Sequence, residues 1–306
     1  MQKNIFLHHS TLSLFAYLFY SLEGVLPMHQ YLFWLGDFPI RSYGIVISLA
    51  IVLATGVGYF LVKKEGRGYE KHIADMGIYC GVAGLLGARL WDVFFFDWDY
   101  YSQHLTELMN VWQGGMAVQG GIVLGVMTGV IYCKKHKLDT IFMMDVLAPA
   151  IILGQALGRC ANLLNGDAFG APTGGAFGLL YPSTTLAYHT YGPQPLWPAE
   201  VWEGQLDFVI FALLLIFRSF DHARGQCFAL YVFLYSAARF GLEYFRGDYT
   251  EKVLAGFTSA QMTSVVAMTL AALAFLAAGA YAHRKKQEKP LPPIIEATSR
   301  KKKAER

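Results

Sequence analysis

The chain has 306 residues, 55% of them hydrophobic and only 15% charged, with a mean hydropathy of +0.36 and a formal net charge of +3. A soluble domain carries about a quarter charged residues, so this composition excludes one and implies a bundle of helices in a membrane. The small positive surplus does not imply nucleic acid as a partner, because the cations fall where membrane topology needs them.

The chain opens with "MQKNIFLHHSTLSLFAYLFYSLEGVLPMHQ", a lysine and an apolar run without a clear small-residue cleavage site. Residues 1–27 are therefore read as an N-terminal extension, compatible with a cleaved signal, an extra anchor or a true start at Met28. Crossing about 30 Å of hydrocarbon as a helix takes roughly 20 residues. Seven segments qualify, at about 43–62, 73–96, 116–133, 140–158, 199–217, 226–245 and 256–282. The expected fold is all-α, a polytopic bundle of seven transmembrane helices occupying 28–284, with an external segment at about 159–198. Residues 285–306 read as a basic, disordered cytoplasmic tail that meets membrane lipids.

Charge orients the bundle. Lys63, Lys64, Arg67 and Lys71 follow the first span, and Lys134, Lys135 and Lys137 the third. Arg218 and Arg224 follow the fifth, and Arg284, Lys285, Lys286 and Lys289 the seventh. The stretch "DWDYYSQHLTELMNVWQGG" and the run from Cys160 to Glu200 contain no lysine or arginine. Every second loop is basic, which places the N-terminus outside and the C-terminus in the cytoplasm.

Cys80, Cys133, Cys160 and Cys227 form no C-x-x-C, and the histidines form no H-x-x-x-H or H-E-x-x-H. Neither a metal nor a cofactor is expected. The chemistry gathers instead on ionisable groups near the spans, each costing about 2.5–3.5 kcal/mol to insert. Arg159 closes the expected fourth span, and Arg239 lies well inside the sixth with Glu243 four residues on, on the same helical face. Arg89 sits in the second span with Asp92 three residues on. Structural ion pairing accounts for such pairs as readily as function does. It does not account for two arginines, Arg159 and Arg239, both near the outer leaflet. A guanidinium at that depth calls for a phosphate or carboxylate. The stretch "GRCANLLNGDAFGAPTGG" adds glycines that permit tight turns or close backbone approach, but no G-K-[ST] of a nucleotide loop follows. A phosphate site facing a membrane points to a phospholipid headgroup.

"GRCANLLNGDAFG" resembles the signature of the prolipoprotein diacylglyceryl transferase family. Further blocks resemble the family in the same order: "RSYGI", "LGARL", "VWQGGMAVQGGIVLG", "WPAEVWE" and "RFGLEYFRGD". The resemblance covers about 28–284. It implies a seven-helix enzyme of the bacterial inner membrane that moves the diacylglyceryl group of phosphatidylglycerol onto the lipobox cysteine of a prolipoprotein signal peptide. By the same resemblance Arg159 holds the phosphatidylglycerol headgroup, and Asn162 and Gly170 shape that pocket. Arg239 stabilises the departing phosphate, Glu243 orients it, and Tyr43 lines the lipid cavity.

The chain departs from the family at three positions. Asp167 stands where glutamate is more usual, one methylene shorter, and Trp197 where one histidine is usual. Gln119 replaces another histidine and cannot accept a proton, so it serves the catalytic set only by hydrogen bonding. A non-catalytic phosphatidylglycerol-binding paralogue is the alternative. A transporter is the less favoured one, since no internal repeat is present.

Overall fold

The computed structural model of the protein describes residues 28–36, 38–108, 115–248, 252–254 and 256–288. The N-terminal extension 1–27, Trp112 of the "VWQGG" block and the tail from 289 onward lie outside the described residues.

An antiparallel hairpin, β1 (Tyr31–Leu35) and β2 (Phe38–Arg41), leads directly into helix α1 (Ser42–Lys64). A 3-10 turn precedes α2 (Ile73–Phe95), and the short α3 (Trp98–Tyr101) follows. Then come α4 (Val118–Lys135), α5 (Thr140–Asn165), the short α6 (Leu186–Tyr191), α7 (Ala199–Phe217) and α8 (Gln226–Leu242). A second small hairpin, β3 (Lys252–Leu254) with β4 (Phe257–Thr258), opens onto α9 (Ser259–Glu288).

Each expected apolar segment is helical, and four are long and apolar enough to cross a membrane: Ser42–Lys64, Glu70–Phe95, Thr140–Asn165 and Ser259–Arg284. The chain is a multi-pass helical membrane protein. Its long helices expose apolar side chains, including Val52 (66%), Phe60 (70%) and Leu270 (62%), as a lipid-facing surface requires. The other three segments are shorter or more polar. α4 ends in Lys134 and Lys135, α8 has only 17 residues, and α7 carries Glu200, Glu203 and Asp207.

Three expectations need correction. The chain is not purely α, because "YLFWL" suits an extended strand and Gly36 takes the turn at φ 61°. The fourth helix does not stop at Gly158 but runs to Asn165, since nothing before Gly166 (φ 73°) breaks it. Arg159 therefore lies inside the helix, nearly two turns before its end. The sixth helix ends at Leu242 and passes into a 3-10 turn at Glu243–Phe245, so Arg239 sits in its last turn rather than well inside.

The described residues fall into two compact units. One comprises the chain through Leu53 with Leu153–Val209 and Ala238–Met262; the other comprises Ala54–Ile152, Ile210–Ala237 and the chain from Thr263. The second unit is built around Val62, Ile73, Met76, Tyr132, Cys133, Phe142, Met143 and Val146. Within it α2 and α4 cross tightly through glycines. A Cβ on Gly87 would meet the carbonyl of Gly120 and lie 2.8 Å from Leu124 Cβ. Asp145 accepts hydrogen bonds from the N–H groups of Gly225 (3.0 Å) and Phe228 (2.8 Å), capping the start of α8. Nearby, Asp139 pairs with Arg67 and Arg224, and Glu65 with Arg218 (2.5 Å).

Candidate active site

The polar chemistry of the first unit starts where α5 ends. Asn162 and Asn165, in its last turn, each donate a side-chain amide hydrogen bond to one oxygen of Asp167, both at 2.6 Å. The backbone of Gly166 closes the helix onto Asn162 O (2.8 Å), which turns Asp167 back toward these amides. Burial pushes the Asp167 carboxyl above the usual range, and the two asparagine hydrogen bonds oppose that shift. The shorter aspartate is thus fully engaged by its own helix end.

Arg159 lies one turn before Asn162, and its Nη1 makes a long 3.4 Å hydrogen bond to Asn162 Oδ1. Its Nη2 is held at 2.5 Å by Oε1 of Glu203 on α7. The close approach of the two helices comes from Gly204, where a Cβ would stand 3.1 Å from Arg159 Cβ. Glu203 is 1% exposed, whereas Arg159 keeps 21% of its side chain accessible.

Gly170 belongs to a segment clamped on both sides. Ala171 N–H donates to Phe245 O (2.8 Å), Gly247 N–H to Phe169 O (3.0 Å), and Trp197 N–H to Ala171 O (2.9 Å). A Cβ on Gly170 would meet the carbonyl oxygen of Trp197 and lie 2.7 Å from its Cβ. Glycine is required here for chain packing. Trp197, in the place of the expected histidine, packs against Phe177, Trp202 and Phe245 with ring centroids 5.5–5.7 Å apart.

The same clamp fixes Arg246, whose side chain is 6% exposed. It is bidentate to Asp248 at 2.9 and 2.5 Å, donates from Nη1 to Ala168 O (3.0 Å), and places Nη1 3.7 Å from Glu203 Oε2. Elsewhere in this unit Arg239 pairs with Glu243 at 2.7 Å, and Glu243 accepts a 2.7 Å hydrogen bond from Thr258 Oγ1. Tyr181 donates to the buried carboxylate of Glu200; burial first, and then that carboxylate, push the tyrosine hydroxyl far above its usual range.

Arg159, Asn162 and Asp167 thus belong to one linked set, which reaches the Gly170 segment through Glu203 and Arg246, while Tyr43 and the Arg239–Glu243 ion pair lie in the same unit. Gln119 is exposed at the start of α4 and belongs to the other unit. Arg89, in that unit, is a clasp. It donates to the carbonyls of Leu108 (2.8 Å), Glu107 (2.9 Å) and Gly115 (3.0 Å), lies 4.7 Å from the Tyr101 ring centroid, and so anchors the segment leading to Gln119. Reading cations alone missed Glu200, Glu203 and Asp207, and assigned no role to Arg246. The signal was present, since carboxylates at i, i+3 and i+7 share one helical face inside an apolar run. All three are buried, and among the described residues neither oxygen of Asp207 has a hydrogen-bond partner.

The arrangement collects guanidiniums directed by buried carboxylates at the ends of apolar helices. That suits an anion carried by an apolar body. A family model described as prolipoprotein diacylglyceryl transferase matches residues 30–277. The chain is 33% identical over 255 residues to a phosphatidylglycerol–prolipoprotein diacylglyceryl transferase of Bacillus licheniformis, covering 82% of this chain and 92% of that protein. It is 35% identical over 210 residues to the protein of that name from Finegoldia magna, covering 68% of this chain and 80% of that one. Against the protein of that name from a Nostoc species it is 30% identical over 269 residues, covering 85% and 91%.

Proposed function

Because this chain belongs to the prolipoprotein diacylglyceryl transferase family, we propose that it transfers the diacylglyceryl group of phosphatidylglycerol to the lipobox cysteine of prolipoproteins, the first step of bacterial lipoprotein maturation. The reaction takes place at the outer face of the bacterial inner membrane. The cysteine sulfur forms a bond to the terminal glyceryl carbon while that carbon's bond to the phosphate oxygen breaks. Glycerol 1-phosphate leaves, and the thiol proton leaves with it or passes to solvent.

The observation that carries this reading is Arg159, held on one side by a buried glutamate and still partly exposed. Arg159 binds the headgroup phosphate in a fork. Asn162 and Asp167 brace the helix end beneath it, Gly170 gives the pocket its shape, and Tyr43 lines the lipid cavity. Arg239, oriented by Glu243, meets the charge that develops on the departing phosphate. These cations also lower the pKa of an incoming thiol from about 8.5. Gln119 keeps the part that the family resemblance implies, hydrogen bonding without proton transfer. Incubation of the purified protein with phosphatidylglycerol and a lipobox peptide tests the whole reading: glycerol phosphate release supports it. Lipid binding without release would make the chain a non-catalytic lipid-binding relative, which the glutamine at position 119 favours.

Gln119→His is expected to change the rate by less than about tenfold, or about 1.4 kcal/mol of barrier. Gln119→Ala should cost more, since it removes the hydrogen bonds as well. The pH–rate profiles of the three forms check this. A gain nearer the 10²–10⁴-fold of full general-base help, with no loss in the alanine form, would show that the chain lacks a working base.

Residues 28–284 form the transferase domain with seven spans, the N-terminus outside and the C-terminus in the cytoplasm. The ion pairs of Glu65, Arg67, Asp139, Arg218 and Arg224 support this, because they join ends that the positive-inside rule assigns to the cytoplasm. Reporters fused after Lys137 and Arg284 are expected in the cytoplasm and one near Thr173 outside; the reverse at any site overturns the topology.

A further inference from the structure

We propose that Glu203 is a positioning residue that acts as a built-in counter-anion, occupying Arg159 until the substrate phosphate displaces it, with Arg246 taking up part of its charge. The inference rests on the phosphate assignment above and adds the device that tunes its affinity.

The two oxygens of Glu203 face two different guanidiniums. Oε1 lies 2.5 Å from Arg159 Nη2, and Oε2 lies 3.7 Å from Arg246 Nη1. The two arginines are unlike. Arg246 is 6% exposed and fixed by both oxygens of Asp248 and by Ala168 O. Arg159 is 21% exposed, on a helix whose next turn carries the Asn162–Asp167 pair. A phosphate can reach Arg159 but not Arg246. Glu203 itself is almost wholly buried, on a helix held against Arg159 at Gly204, so it cannot withdraw into water when an anion arrives. Its charge must then be balanced inside the protein, and Arg246 is the cation in place to do so.

Among Arg159, Arg246, Glu203 and Asp248 the formal charges cancel, with Asp167, Glu200 and Asp207 as further carboxylates around them. A monoanionic phosphodiester entering this group competes with one carboxylate for one guanidinium. The same competition helps to expel the phosphate monoester after transfer. Glu203 thus keeps the site from holding its anions too tightly.

The test is KM for phosphatidylglycerol and inhibition by added glycerol phosphate, measured on the purified full chain with a lipobox peptide. Glu203→Gln keeps a hydrogen-bond acceptor for Arg159 but removes the competing charge. It should lower both KM and the glycerol phosphate inhibition constant about fivefold, with a fall in kcat as product leaves more slowly. Arg246→Lys weakens the second hold on Glu203, leaves it more firmly on Arg159, and should raise KM about fivefold. Opposite signs are the signature; a purely structural Glu203 moves both variants the same way. If Glu203→Gln fails to insert, Arg246→Lys decides alone, and an unchanged or lowered KM there overturns the proposal. A wild-type protein that releases no glycerol phosphate refutes the transferase reading instead. An active wild type whose variants leave anion affinity unmoved refutes only the role of Glu203.

Discussion

Arg159→Lys and Arg239→Lys are each expected to retain less than about one hundredth of wild-type turnover while the protein still inserts in the membrane. A hundredfold loss corresponds to about 2.7 kcal/mol, the size found when one donor to a developing oxyanion is removed. Lysine keeps the positive charge, so long-range attraction for the lipid survives. The fork is lost. Arg159 reaches Glu203 through Nη2 at 2.5 Å and Asn162 through Nη1 at 3.4 Å, two directions that only a planar fork serves at once, whereas an ammonium is a point charge that Glu203 would capture whole. Arg239 is in the same position with respect to Glu243 at 2.7 Å. If Arg239 meets the leaving phosphate as proposed, the effect of Arg239→Lys should fall mainly on kcat, and that of Arg159→Lys on both KM and kcat. Initial rates across a lipid concentration series check this, with surface expression as the control for insertion. Turnover within tenfold of wild type in both variants removes the phosphate clamp.

Gly170→Ala should be strongly damaging, lowering stability by about 3 kcal/mol and abolishing activity. The added Cβ would meet the carbonyl and Cβ of Trp197, and backbone cannot move aside as a side-chain tip can. Shifting Trp197 strains its hydrogen bond to Ala171, and through Ala171 the bond to Phe245, immediately before Arg246. Gly175→Ala is the matched control, because nothing lies within 4 Å of a Cβ there. Thermal unfolding in detergent together with turnover separates the two. Equal melting temperatures for both variants would mean that the clamped segment relaxes freely.

The positions of the apolar helices were legible in the sequence because hydrocarbon imposes a minimum length and forbids unpaired backbone, and both leave marks along a linear chain. Arg159, Arg239 and Glu243 stood out in the sequence as candidates because a charge near an apolar run is costly, whereas Asn162 and Asp167 were singled out only by the family resemblance. Local partners followed from helical spacing: the Arg239–Glu243 pair is an i, i+4 contact. The contacts that lie far apart along the chain were not. Glu203 meets Arg159 from 44 residues away, and Arg246 meets the carbonyl of Ala168 from 78. Such encounters depend on which helix face meets which, and that is set by close packing at Gly204 and Gly170 rather than by any periodicity. Arg89 shows the same division. Its burial in a span was readable, but only the folded loop supplies the three carbonyls that make it a clasp. Solvent and membrane act on each residue separately and so write themselves into composition and pattern, whereas pairing among buried charges is a property of the packed chain.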